Sequence, residues 1–288
     1  MRKTWKLLGA LGLAAVLVLT LAVDAEAGKK KRRKKKNKKV ATQTEEIGAA
    51  ASSASTVPAA RLATEFGGAV SKADRHLRAY ETAAAEAALR SLENEREPAV
   101  LLARARVFEQ NQDYDRAVGL MEEAAAAASG SPEPLVYLGE ALLHAQRLGA
   151  ADDAFSRAEG RAREILKSDP NDYDALYFLG VAQQRQKRFA AAEETLLKVH
   201  AKQPRNALAA YQLGATLAFK EDWGGAISAL DEAVNLDSGI AYAYYYRGLA
   251  AGRIGRKDLL VNDLDRFLAM APRAPEAARA QKILDAAR

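Results

Sequence analysis

Between residue 64 and the carboxyl terminus, apolar residues recur at helical spacing in paired blocks separated by short polar turns. The clearest pair spans residues 173–206: Leu176, Leu179, Gly180 and Gln183 lie on a first stretch, Phe189, Ala192 and Leu196 on a second, and Pro204 ends it. The pattern then repeats. Gly180, Gly214 and Gly248 are each 34 residues apart, and so are Phe189 and Trp223. Residues 207–240 carry Ala210, Leu213, Leu217, Ala226 and Leu230 in matching places, and residues 241–274 carry Tyr244, Ala251, Leu260, Leu264 and Pro272. One position breaks the pattern, Arg247, where an apolar residue is expected.

The same register runs upstream. Residues 132–172 hold Leu135, Leu138, Gly139, Leu142, Leu148, Ala151 and Phe155; Gly139 stands 41 residues before Gly180, one period plus two helical turns. Such an insertion lengthens a helix without rotating its packing face. Residues 98–131 hold Leu101, Ala105, Phe108, Tyr114, Ala117 and Met121, and a degenerate first unit over 64–97 keeps Tyr80, Ala83 and Ala87, with Tyr80 34 residues before Tyr114. A fixed period of this length means stacked supersecondary units. The spacing predicts an all-α array of five to six helix-turn-helix repeats. Gly at the eighth position and Ala at the twentieth fit a close crossing of two antiparallel helices, which a larger side chain would push apart. After residue 274, Ala280, Ile283, Leu284 and Ala287 form one apolar stripe, so residues 275–288 are expected to be a helix that caps the last repeat.

With these residues in view the chain resembles the tetratricopeptide repeat family, whose pattern is Trp-x2-Leu-Gly-x2-Tyr, then Ala-x3-Phe, then Pro. The resemblance covers most of residues 98–274. It implies a right-handed superhelical solenoid whose concave wall, lined by the first helix of each repeat, binds a peptide or helix of another protein. The fifth position of that helix faces inward in the family. Here it holds Val136, Tyr177, Tyr211 and Tyr245. The thirteenth position adds Arg185 and Arg253, with Phe219 between them, so the expected partner-binding surface is Tyr177, Tyr211, Tyr245, Arg185, Phe219 and Arg253. The Lys and Asn pattern with which some members clamp a C-terminal carboxylate is missing at Tyr177, Val181, Tyr211 and Ala215.

The amino-terminal part has a different character. Met1–Lys6 is basic, Leu7–Val23 is uninterrupted apolar sequence and Ala25-Glu26-Ala27 has the small residues of a signal-peptidase site, so residues 1–27 read as a signal peptide and the chain as exported to the periplasm or exterior. The rival reading is an uncleaved anchor in the inner membrane, favoured by the cations that follow the apolar run. Those cations are ten: Lys29, Lys30, Lys31, Arg32, Arg33, Lys34, Lys35, Lys36, Lys38 and Lys39. Without aromatic residues among them, residues 28–39 can attract only by charge, toward an anionic envelope polymer, lipid head groups or nucleic acid without sequence preference. Residues 40–63, rich in Ala, Ser and Thr, read as a disordered linker.

Charge and chemistry narrow the function. The net charge of +6 belongs to the basic run, and residues 40–288 alone carry −5. The absence of cysteine excludes disulfides and thiol chemistry. The three histidines, His76, His144 and His200, fall in different repeats without metal-ligand spacing, and no phosphate-cradling Gly loop or dinucleotide fingerprint occurs. Asp169 to Asp174 resembles a calcium loop only in part, since Asp174 stands where glycine is needed. The expectation is therefore a protein-binding scaffold without cofactor, metal or catalysis, with the basic run as an alternative source of binding.

Overall fold

The computed structural model describes residues 66–288. The leader, the basic run Lys29–Lys39 and the linker expected before residue 64 lie outside the described residues. Within them the chain forms thirteen α-helices and no strand. They follow as six antiparallel pairs: α1 (Gly67–Arg78) with α2 (Thr82–Leu89, extended by a 3-10 turn), α3 (Pro98–Gln110) with α4 (Tyr114–Ala127), α5 (Glu133–His144) with α6 (Leu148–Ser168), α7 (Tyr173–Arg185) with α8 (Phe189–Lys202), α9 (Ala207–Phe219) with α10 (Trp223–Leu236), and α11 (Ala241–Arg253) with α12 (Lys257–Met270). Helix α13 (Ala277–Ala287) follows alone and packs on α12.

Local chemistry sets the helix ends. Asp113, Asp172, Asn206 and Asp222 cap α4, α7, α9 and α10, each side-chain oxygen accepting a backbone N–H three residues on. The turn inside each pair contains one residue with left-handed backbone: Tyr80, Gln112, Gln146, Lys187, Glu221 and Gly255, with φ between 56° and 78°. In the turn after α3, the N–H groups of Gln112 and Asp113 donate to the carbonyls of Glu109 and Phe108, which closes the helix with a left-handed cap. This set marks the true register. Tyr80 is the counterpart of Gln112, so Thr82, not Tyr80, corresponds to Tyr114; the 34-residue spacing of the two tyrosines is fortuitous because the first unit is two residues short.

The glycines act by proximity. A Cβ on Gly139, Gly180 or Gly214 would lie 2.5, 2.7 and 2.5 Å from Phe155, Leu196 and Leu230, in each case the residue sixteen positions on in the second helix. Those three large residues are wholly buried. The longer unit keeps this contact because its extra residues all fall in α6, which has 21 residues where α4 and α8 have 14. Arg247 is accommodated by acids: its guanidinium donates to Asp263 at 2.8 and 2.7 Å and to Asp231 at 2.7 Å. At the end, Ala280 and Leu284 are buried and Ile283 lies against the core of the last two repeats. No helix among the described residues is long and apolar enough to cross a membrane.

Stacking in one direction curves the array until its two ends meet. Arg78 at the end of α1 reaches Asp237 before α11, and Tyr80 reaches Tyr242 within it. The concave wall thereby becomes the lining of a partly open cavity.

Candidate functional site

The cavity has a volume of about 230 Å³ and is walled by the first helices of successive pairs. Helices α5, α7 and α9 contribute the fifth and sixth positions of their repeats: Val136 and Tyr137, Tyr177 and Phe178, Tyr211 and Gln212. The turn residue Tyr80, with Tyr114, Tyr242 and Tyr246, completes the aromatic lining. Seven of the chain's ten tyrosines thus line one space.

Tyr177 and Tyr211 are half-buried, and both line this space. Burial pushes both phenols well above the usual range, so they stay protonated and offer hydroxyl donors. Arg185, at the end of α7, is held between them and the adjacent pair. Its Nε and Nη2 donate to Glu140 Oε1 on α5 at 3.0 and 2.5 Å, and its Nη1 to Gln184 Oε1 at 2.6 Å. Burial would lower the guanidinium's pKa, but the carboxylate of Glu140 more than offsets it and keeps the charge in place. Gln184 in turn donates to Thr216 Oγ1 at 2.8 Å, and Thr216 to the Gln212 carbonyl at 2.7 Å. The network ties three pairs together behind the wall. The Gln212 side chain, 6% exposed, ends in an Oε1 without a hydrogen-bond partner. The same side chain hydrogen-bonds Tyr177 on the wall.

The structure therefore brings three of the six expected residues to the cavity, Tyr177, Tyr211 and Arg185. The other three lie elsewhere. Tyr245 is 2% exposed and packs on Phe267 of α12 with ring centroids 4.9 Å apart, because that ring offers an apolar surface beneath the fifth position of α11; Tyr246 takes the place on the wall. Phe219 stacks on Phe189 at 5.2 Å with its edge toward Tyr246, and Arg253 lies over Trp223 at 5.6 Å, outside the cavity.

Other lining groups had no register signal in the sequence. Glu140, Glu109, Glu276, Arg106 and His144 all reach the cavity. Arg106 bonds Asp74 at 2.8 Å with its guanidinium 5.0 Å from the Tyr137 ring centre, and His144 Nδ1 lies 2.8 Å from Glu109 Oε1. Glu276 accepts a hydrogen bond from the Tyr242 hydroxyl. Only the longer view that acids on one first helix answer bases on the next could have suggested them. Among the described residues no group of three His, Cys, Asp or Glu side chains is placed to hold a metal ion.

An all-α stack of helix pairs with a continuous inner wall defines a helical repeat protein of the solenoid class. The family model for the tetratricopeptide repeat matches residues 70–132, 102–163 and 142–207, and the chain is a tetratricopeptide repeat protein. Among solved structures, it is similar to TTC0263, a thermophilic protein of this repeat from Thermus thermophilus, at 18% identity and a TM-score of 0.49 over 66% of this chain and 98% of that one. The Cut9–Hcn1 hetero-tetramer of the APC/C matches at 16% identity and a TM-score of 0.49, over 88% of this chain and 46% of that one. YrrB, described as having an unusual peptide-binding site, matches at 20% identity and a TM-score of 0.38, over 66% of this chain and 94% of that one. A comparison with curated proteins finds no match. The repeats make the chain a scaffold for protein–protein interaction.

Proposed function

We propose that this protein is a non-enzymatic scaffold of the cell envelope or periplasm that binds a partner polypeptide, as a peptide or a helix, on its concave wall. The observation that carries the reading is the tyrosine lining, with Arg185 fixed among the rings. Tyrosines of this kind supply large contact area and a hydroxyl at small entropic cost. At about 230 Å³ the cavity is smaller than the roughly 300–1,000 Å³ of a site that takes a whole small molecule. In this conformation the wall admits a side chain or two of a partner, inserted as an anchor. The envelope location rests on the leader-like residues 1–27.

The ten cations of residues 29–39 support a second reading, binding of an anionic polymer or membrane surface, with the array as a spacer. Two variants separate the readings. Tyr177→Ala with Tyr211→Ala should abolish partner capture at a temperature where the helical signal is still native, and deletion of residues 29–39 should leave capture intact and weakly salt-dependent. Capture that survives the tyrosine pair but falls with the deletion would give the function to the basic run.

A further inference from the structure

The two ends of the array are joined by a few side chains from helix ends and turns. Arg78 Nε donates to Asp237 Oδ2 at 3.0 Å, the Tyr80 hydroxyl to that of Tyr242 at 3.3 Å, and Gln112 Nε2 to the Arg273 carbonyl at 3.2 Å, each pair about 160 residues apart in sequence. The Tyr80 and Tyr242 rings stand 5.9 Å apart, and Tyr242 is held from its other side by Glu276. An independent sign of purpose is the backbone of Tyr80. Its φ of 56° is left-handed, where the equivalent turns use Gln112, Gln146, Lys187, Glu221 and Gly255. A bulky aromatic residue is unfavourable there, and such strain persists where the side chain has a task. Here the strained turn aims the ring across the seam.

The seam differs from every other junction in the molecule. Successive pairs share whole helix faces, whereas no helices pack face to face across the join. The join is a small patch, in which the largely buried Arg78 pairs with Asp237 and the Tyr80 ring rests on the core of the last two repeats, so it opens more readily than the repeats separate across their shared helix faces. Opening it would widen the space in front of Tyr177, Tyr211 and Arg185 into a groove for a chain segment; the closed join narrows that space.

We propose that the contact between the first and last repeats is a latch that gates the concave wall, so that a partner polypeptide engages the wall fully only when the latch opens. This rests on the concave wall being the binding surface. Partner binding would then compete with the Arg78–Asp237 and Tyr80–Tyr242 contacts, and whatever loosens them would raise the apparent affinity.

The test uses the absence of cysteine from the chain. A Cβ on Gly239 would lie 4.0 Å from that of Ala79, within the roughly 3.5–4.5 Å span of a disulfide. The full-length Ala79→Cys/Gly239→Cys variant should form an intramolecular disulfide under mild oxidation. Acetylation of Tyr177 and Tyr211 by N-acetylimidazole, followed by mass spectrometry, should then be roughly tenfold slower in the oxidised than in the reduced form. Arg78→Ala, which needs no cysteine, should acetylate faster than the unmodified chain. Failure to cross-link at native helicity overturns the latch, and equal acetylation of oxidised and reduced forms overturns the gating. Neither result bears on the wall as a binding surface, which fails only if capture survives Tyr177→Ala with Tyr211→Ala.

Discussion

At Gly214 the backbone of α9 comes so close to α10 that a single methyl group has no room: its Cβ would sit 2.5 Å from Leu230 Cγ and 3.1 Å from the Leu230 backbone nitrogen. The side chain could turn away but the nitrogen cannot move without its helix. Gly214→Ala is therefore expected to destabilise by about 1–3 kcal/mol through overpacking. Gly119, exposed on α4, has nothing within 4 Å of such a Cβ, and Gly119→Ala should stabilise by about 0.5–1 kcal/mol through helix propensity. Urea midpoints at unchanged slope measure both. These glycines were legible from spacing alone, because packing demands the same small residue wherever the crossing recurs. Tyr245 was not, because the choice between neighbouring positions on α11 depends on where Phe267 of another helix lies.

Between elements, the repeats are tied by charge as well as by apolar faces. His144 at the end of α5 meets Glu109 on α3, and Arg185 on α7 meets Glu140 on α5. Burial alone would lower the His144 pKa, but the hydrogen bond and charge of Glu109, helped by Glu140 and Glu276, raise it above its ordinary 6.5. A raised folded-state pKa contributes stability that is complete below the unfolded value and is lost as pH rises through the folded one. The melting temperature of the protein should therefore exceed that of His144→Gln by most just below pH 6.5, with the gap closing as the medium becomes alkaline. A gap that widened with pH would contradict the imidazolium–Glu109 pairing. These ties were invisible in the sequence, since acid and base stand 35 and 45 residues apart and are not spaced by the repeat. The lengthened α6, by contrast, was readable: two added turns preserve the packing face.

At the scale of the whole molecule, six helix pairs and a terminal helix curl until Arg78 and Asp237 meet. The repeats and their register could be read from residue types because each unit contacts only its neighbours. Closure could not, because it depends on small rotations summed over five junctions, none of which leaves a mark in any single unit. The tyrosines acquire their meaning only at this scale, since Tyr80, Tyr177, Tyr211, Tyr242 and Tyr246 come from four different pairs and converge through the curvature.

The central claim is that the concave wall is where this scaffold holds its partner. Benzoyl-phenylalanine placed at Tyr211 on that wall, and separately at Leu197 on the exposed side of α8, tests it in the native cell. Irradiation should link a partner polypeptide to position 211 and not to position 197. A partner linked through position 197 alone would contradict the account.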